Sequence, residues 1–130
     1  MYTVHVMSSR YAASAGLAVI LFLFYFWRFV PYSQRERPEH SPNWWSFLII
    51  MFVAGFLLTL GVESRRFWVC TSVLLTLFVA NTILIVIDCI PDPTNHNLFP
   101  FEFVEIAVLT LPAYLGASVA AVVDRFRRIR

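Results

Sequence analysis

Four apolar runs alternate with short charged segments along this 130-residue chain, and that alternation limits its fold more than any other feature. A hydrocarbon core of about 30 Å is crossed by roughly 17–25 predominantly apolar residues in a helix. Residues 11–29, 45–62, 67–87 and 103–123 each fit that length. Between them lie an outer loop over 30–44 with Pro31, Pro38 and Pro42, a tight link over 63–66, and an outer loop over 88–102 with Pro91, Pro93 and Pro100. Because lipid offers no hydrogen-bond partner to the backbone, spanning segments must satisfy themselves as helices. The expectation is an all-α membrane protein, a compact four-helix transmembrane bundle forming a single domain over 1–130. Composition points the same way, since 59% hydrophobic and only 14% charged residues leave too little polar surface for a water-soluble domain.

The first run follows Arg10 and could be taken for a signal peptide, but it is longer than a usual h-region and no small-x-small site follows it, so it reads as an anchor. Orientation follows from the arginines, the only basic residues besides histidine. With four spans, Arg10, Arg65, Arg66, Arg125, Arg127, Arg128 and Arg130 share one side, and Arg28, Arg35 and Arg37 share the other. The positive-inside rule then puts both termini and the 63–66 link in the cytoplasm. Six of the eight acids fall on the outer side: Glu36, Glu39, Asp88, Asp92, Glu102 and Glu105. The basic tail over 124–130 reads as a topology anchor, although it could also meet anionic lipid.

Several functions find no support in these residues. A net charge of +2 gives no reason to expect nucleic acid. Cys70 and Cys89 lie nineteen residues apart on one span, roughly 28 Å along a helix, so they cannot pair with each other. There is no CxxC, no Asn-x-Ser/Thr acceptor, no HExxH or GxSxG motif and no internal repeat. Proton or ion passage needs ionisable groups at mid-depth, where span three offers only Asn81. Haem would need histidines within the spans, and His5, His40 and His96 all lie outside them. No cofactor is expected.

Small residues at helical spacing mark contact faces in membrane helices. Span four carries Ala113, Gly116, Ala117, Ala120 and Ala121, and span one carries Ala12, Ala13, Ala15, Gly16 and Ala18 at the same depth, so these two helices are expected to pack together. Pro112 should kink span four, with Thr110 able to compensate. Trp44 and Trp45 suit the headgroup level. Asn81 should hydrogen-bond across helices, and Asp88, seven positions on, continues the same polar face.

The stretch from Asp88 to Glu105 is the least generic, with four carboxylates, a histidine and no cation. Glu102 and Glu105 suit the first turn of a helix, where the dipole favours negative charge. Asp88 sits at a helix C-terminus, where the dipole opposes it, and needs a cation. Arg28 is the expected partner, with Arg35 or Arg37 pairing with Asp92 or a glutamate. The alternative is a metal site from Asp88, Asp92, His96, Glu102 and Glu105, whose oxygens would suit Ca²⁺ or Mg²⁺, or Zn²⁺ with His40 added. Ion pairing is the preferred account.

The expected protein is a small multi-pass component of a cell membrane, by its short loops a bacterial inner membrane, working as a non-enzymatic accessory or interaction subunit. Its partners would be the bilayer and another membrane protein or a second copy of itself. The competing expectation is an outer-face cation or substrate site in the 88–105 segment.

Overall fold

The computed structural model describes residues 2–97 and 99–129, and side chains from residue 7 onward. Arg130 and the side chain of His5 therefore lie outside the described residues. The chain is 81% helical, with no strand among the described residues. Helix α1 (Tyr2–Leu21) runs into a wider π-helical stretch (Phe22–Trp27), followed by a short α2 (Tyr32–Arg35), a 3₁₀ turn (Pro38–His40), α3 (Trp44–Thr59), α4 (Arg66–Cys89) and α5 (Phe99–Ile129). Four helical stretches, Met7–Trp27, Pro38–Thr59, Arg66–Cys89 and Phe99–Ile129, are long and apolar enough to cross a membrane.

Local sequence explains the boundaries. The Leu23 carbonyl accepts the Arg28 N–H at 2.8 Å, and Arg28 and Phe29 then take left-handed backbone angles that end the first helix. Asn43 caps α3, its side-chain oxygen accepting the Ser46 N–H at 3.4 Å. At the other end of α3, Gly61 has φ +75, a left-handed conformation that glycine adopts without steric penalty. Its N–H donates to both carboxylate oxygens of Asp124, at 3.1 and 2.9 Å. Asp124 thereby ties the α3–α4 link to α5. Arg10 donates to the Leu58 and Leu60 carbonyls at 2.6 and 3.0 Å, fastening α1 to the same end of the molecule.

Helix α5 is longer than the apolar run alone suggested. It spans 31 residues, about 46 Å at 1.5 Å per residue, and carries the arginine-rich segment through Arg128 as helix. It also continues through Pro112 as one helix, and Thr110 donates its hydroxyl to the Ala107 carbonyl at 2.8 Å.

The packing of the small-residue faces differs from expectation. Helix α5 lies most extensively against α3, and α1 lies against α4; α1 and α5 hardly touch. A Cβ added to Gly55 would sit 2.0 Å from the Ala113 carbonyl oxygen, and one added to Gly116 would sit 2.1 Å from the Phe52 carbonyl oxygen. The stripe on α5 therefore lets its backbone meet that of α3. On α1 the small run divides: Ala18 is buried in the core, whereas Gly16 has nothing within 4 Å of where a Cβ would be. Ser14 adds a polar contact to α4, 2.5 Å from Ser72.

Trp44 and Trp45 also part company. Trp45 is 77% exposed, as a residue facing the headgroups would be. Trp44 turns inward, with its ring 5.5 Å from that of Phe26 and 5.9 Å from that of Phe47. The outward surfaces of the long helices are apolar, including Val79, Ile83, Val108 and Leu115.

Candidate functional site: a buried ionic cluster beside a polar cavity

Asn81 and Asp88 are seven residues apart on α4, so two helical turns place them on one face, pointing at the start of α5. Asn81 is buried and donates its amide to Glu102 Oε2 at 3.2 Å. This fulfils the expected interhelical bond. Between Glu102 and Asp88 stands His96, whose side chain is only 4% exposed: its Nδ1 lies 2.5 Å from Glu102 Oε1 and its Nε2 lies 2.9 Å from Asp88 Oδ2. The residue has left-handed backbone angles, which let the short 90–97 loop turn its ring inward. The Phe99 N–H then bonds the His96 carbonyl at 2.9 Å as α5 begins.

Asp88 takes its cation from Arg35. Both Nη atoms of Arg35 reach the two oxygens of Asp88, a bidentate fork that suits a carboxylate, while its Nε donates to the Val30 carbonyl at 2.8 Å. The expected pairing with Arg28 is replaced because α2 folds back over the site and delivers Arg35. Arg28 is spent on the same loop, donating to the His40 carbonyl and, at 3.0 Å, to the Arg35 carbonyl. The ring of Tyr32 closes the cluster, 4.2 Å from the His96 ring and 5.9 Å from the Arg35 guanidinium carbon.

Ionised carboxylates only accept hydrogen bonds, so His96 satisfies both neighbours when both its ring nitrogens carry protons. In that state Arg35 and His96 balance Asp88 and Glu102. Such a neutral set suits a buried site, because an unmatched charge there would be strongly unfavourable. Asn95 completes the frame by donating its amide to the Asp88 carbonyl at 2.8 Å, satisfying an orphan acceptor at the end of α4. The Cys89 thiol points at the Asn95 carbonyl, 3.4 Å away, and both cysteines are free.

The other residues singled out in the sequence stand apart from this cluster. Asp92 is exposed and bonds its own loop, accepting the Thr94 N–H at 2.9 Å and the Thr94 hydroxyl at 2.7 Å. These two bonds hold its carboxyl below the ordinary aspartate value. Arg37 pairs with Glu39 on the surface at 3.8 Å. Glu105 lies one turn beyond Glu102, and among the described residues its side chain makes no hydrogen bond or ion pair. The five residues named as potential metal ligands are thus split between three settings. Among the described residues, no group of three or more His, Cys, Asp or Glu side chains could hold a metal ion.

Beside the cluster is a cavity of about 270 Å³, lined by Arg28, Glu36, Trp44 and Glu105 together with Arg35, His96 and Glu102 of the cluster. Sequence reasoning missed the joint role of Arg35 and Tyr32. A proline followed four residues later by arginine, at Pro31 and Arg35, was the available signal for a short helical turn carrying a cation. It also missed Asp124, grouped with the basic tail but buried against Gly61 and Arg66. Set against known protein families, curated proteins and solved structures, the chain matches none of them.

Proposed function

We propose that this is a four-span protein of a cell membrane, with both termini and the 63–66 link on the cytoplasmic side, acting as a non-enzymatic accessory or interaction subunit. The carrying observation is that the ionisable groups of the buried cluster spend themselves on each other. Arg35, Asp88, His96, Glu102 and Asn81 bond one another, and this supports a structural lock rather than a reaction centre. A reaction would call for a nucleophile beside a base, or for an open ligand position. The orientation draws on Arg10, Arg65, Arg66, Arg125, Arg127 and Arg128, which belong to one end of the bundle, against Arg28, Arg35 and Arg37 at the other. A bacterial inner membrane remains the proposed location.

Two measurements test this. In a chain lacking Cys70 and Cys89, Ser64→Cys should resist a membrane-impermeant maleimide in intact cells and Ser41→Cys should react; the reverse pattern would invert the orientation. Gentle extraction at native expression level should yield a complex containing a second membrane protein, or further copies of this chain, in fixed ratio. Elution of the 15.0 kDa chain alone in its micelle would sink the subunit role. A second reading, a small-molecule site on the outer face, is favoured by the cavity beside the cluster.

A further inference from the structure

The cavity beside the cluster gathers opposite charges that the fold has not matched to each other. Arg28 on its wall donates to two backbone carbonyls only, and its Nε is buried with no hydrogen-bond partner. Among the described residues it forms no ion pair. Glu36 and Glu105 line the same space, and among the described residues neither makes a side-chain hydrogen bond or ion pair. Glu105 has Glu102 and Glu36 as its charged neighbours, both of its own sign.

A simple anion drawn to Arg28 would meet these acids, and a simple cation drawn to the acids would meet Arg28 and Arg35. A metal ion is disfavoured further, because no group of three or more potential ligands converges among the described residues. A molecule carrying both charges satisfies both walls. The volume, about 270 Å³, falls near the lower end of small-ligand sites, which start at roughly 300 Å³. Trp44 is also on the wall, and an indole is the side chain that best attracts an ammonium group. Each terminal nitrogen of Arg28 gives one N–H to a backbone carbonyl and carries a second N–H that suits a phosphate oxygen.

We propose that this cavity binds a small zwitterion of the phosphoethanolamine kind, with its phosphate oxygens on Arg28 and its ammonium group between Glu36 and Glu105. The same chemistry is carried by a phosphatidylethanolamine headgroup and by the free soluble compound. This rests on the second reading above, an outer-face site, and not on the subunit role.

The full chain would be reconstituted in nanodiscs of phosphatidylglycerol alone and in discs with phosphatidylethanolamine added. Free phosphoethanolamine would be titrated into the first set, and the thermal midpoint recorded. Ligand binding to the folded state should raise the midpoint by roughly 4 °C or more at saturation. A rise confined to the phosphatidylethanolamine discs assigns the lipid headgroup, and a saturable rise with the free compound assigns the soluble ligand. In either case Glu105→Gln, which removes a carboxylate with no bond to lose, should abolish the rise, while Arg28→Lys should keep part of it. No rise in either arm, or a rise undiminished in E105Q, would overturn the proposal. Neither result bears on the mass of the native complex, so failure here is distinguishable from failure of the subunit role.

Discussion

Replacing Gly116 with alanine adds one methyl group where two helices meet backbone to backbone. The new Cβ would stand 2.1 Å from the Phe52 carbonyl oxygen and 2.7 Å from the Phe56 nitrogen. Neither is the end of a flexible side chain, so relief requires the helices to part. Restoring an ordinary 3.4 Å contact means a shift of roughly 1.3 Å. A radial gap of about 0.5–1 Å already forfeits a quarter to a half of each van der Waals contact it opens. Since α3 and α5 form the most extensive helix pair in the molecule, the loss is shared along the whole seam. Overpacking of this sort costs roughly 1–3 kcal/mol, and an unyielding backbone puts G116A near the top, at about 3 kcal/mol. Gly16→Ala supplies the control, because nothing lies within 4 Å of its added Cβ. There the gain in helix propensity should make the change neutral or stabilising by up to about 0.5–1 kcal/mol. Equilibrium unfolding of both variants in mixed micelles should therefore separate them by about 3–4 kcal/mol. A difference under about 1 kcal/mol would refute the close approach of α3 and α5. Adding Gly55→Ala to G116A should cost less than the sum of the two, since both methyl groups open the same seam.

Other outcomes follow from the ionic cluster and its loop. Arg35→Gln and Asp88→Asn should each destabilise by about 3–5 kcal/mol, because each leaves a buried partner unmatched, and the double variant should lose at least about 1 kcal/mol less than their sum. The same cycle run with Arg28→Gln should give a clearly smaller coupling; an equal one would restore Arg28 as the partner of Asp88. Divalent cations and chelators should leave the thermal midpoint unchanged, and a gain specific to one metal would speak against ion pairing as the role of Asp88 and His96. The carboxyl of Asp92 should titrate below an ordinary aspartate in an NMR titration, and Thr94→Val should move it back up. Because its folded value is depressed, whatever Asp92 contributes to the loop is complete above the unfolded value and fades as pH falls through the folded one.

What the sequence determined by itself was whatever depends on neighbours along the chain. The number of long helices was legible because a span is a run of apolar residues, and two proline-rich loops and the charged 63–66 link separate the runs. That Asn81 would bond across helices was foreseeable because a buried asparagine in an apolar helix must find a partner; that the partner is Glu102 was not. The extension of α5 to Ile129 was missed since hydropathy falls at the arginines while helical hydrogen bonding continues through them.

Tertiary structure alone decided which surfaces meet. Small residues occur on both α1 and α5, and composition cannot say which of them finds another backbone; helix rotation brings Gly116 to Phe52 and leaves Gly16 facing open space. Likewise Arg28, Arg35 and Arg37 are equivalent by charge and near one another in sequence. The path of the 30–44 loop separated them, sending Arg35 into Asp88, Arg37 to the surface and Arg28 to the wall of the cavity. The apolar runs set how many long helices there would be, because length and hydropathy are properties of each segment separately. The polar site had to wait for the fold, because a charge is matched by whichever partner three-dimensional packing brings within reach.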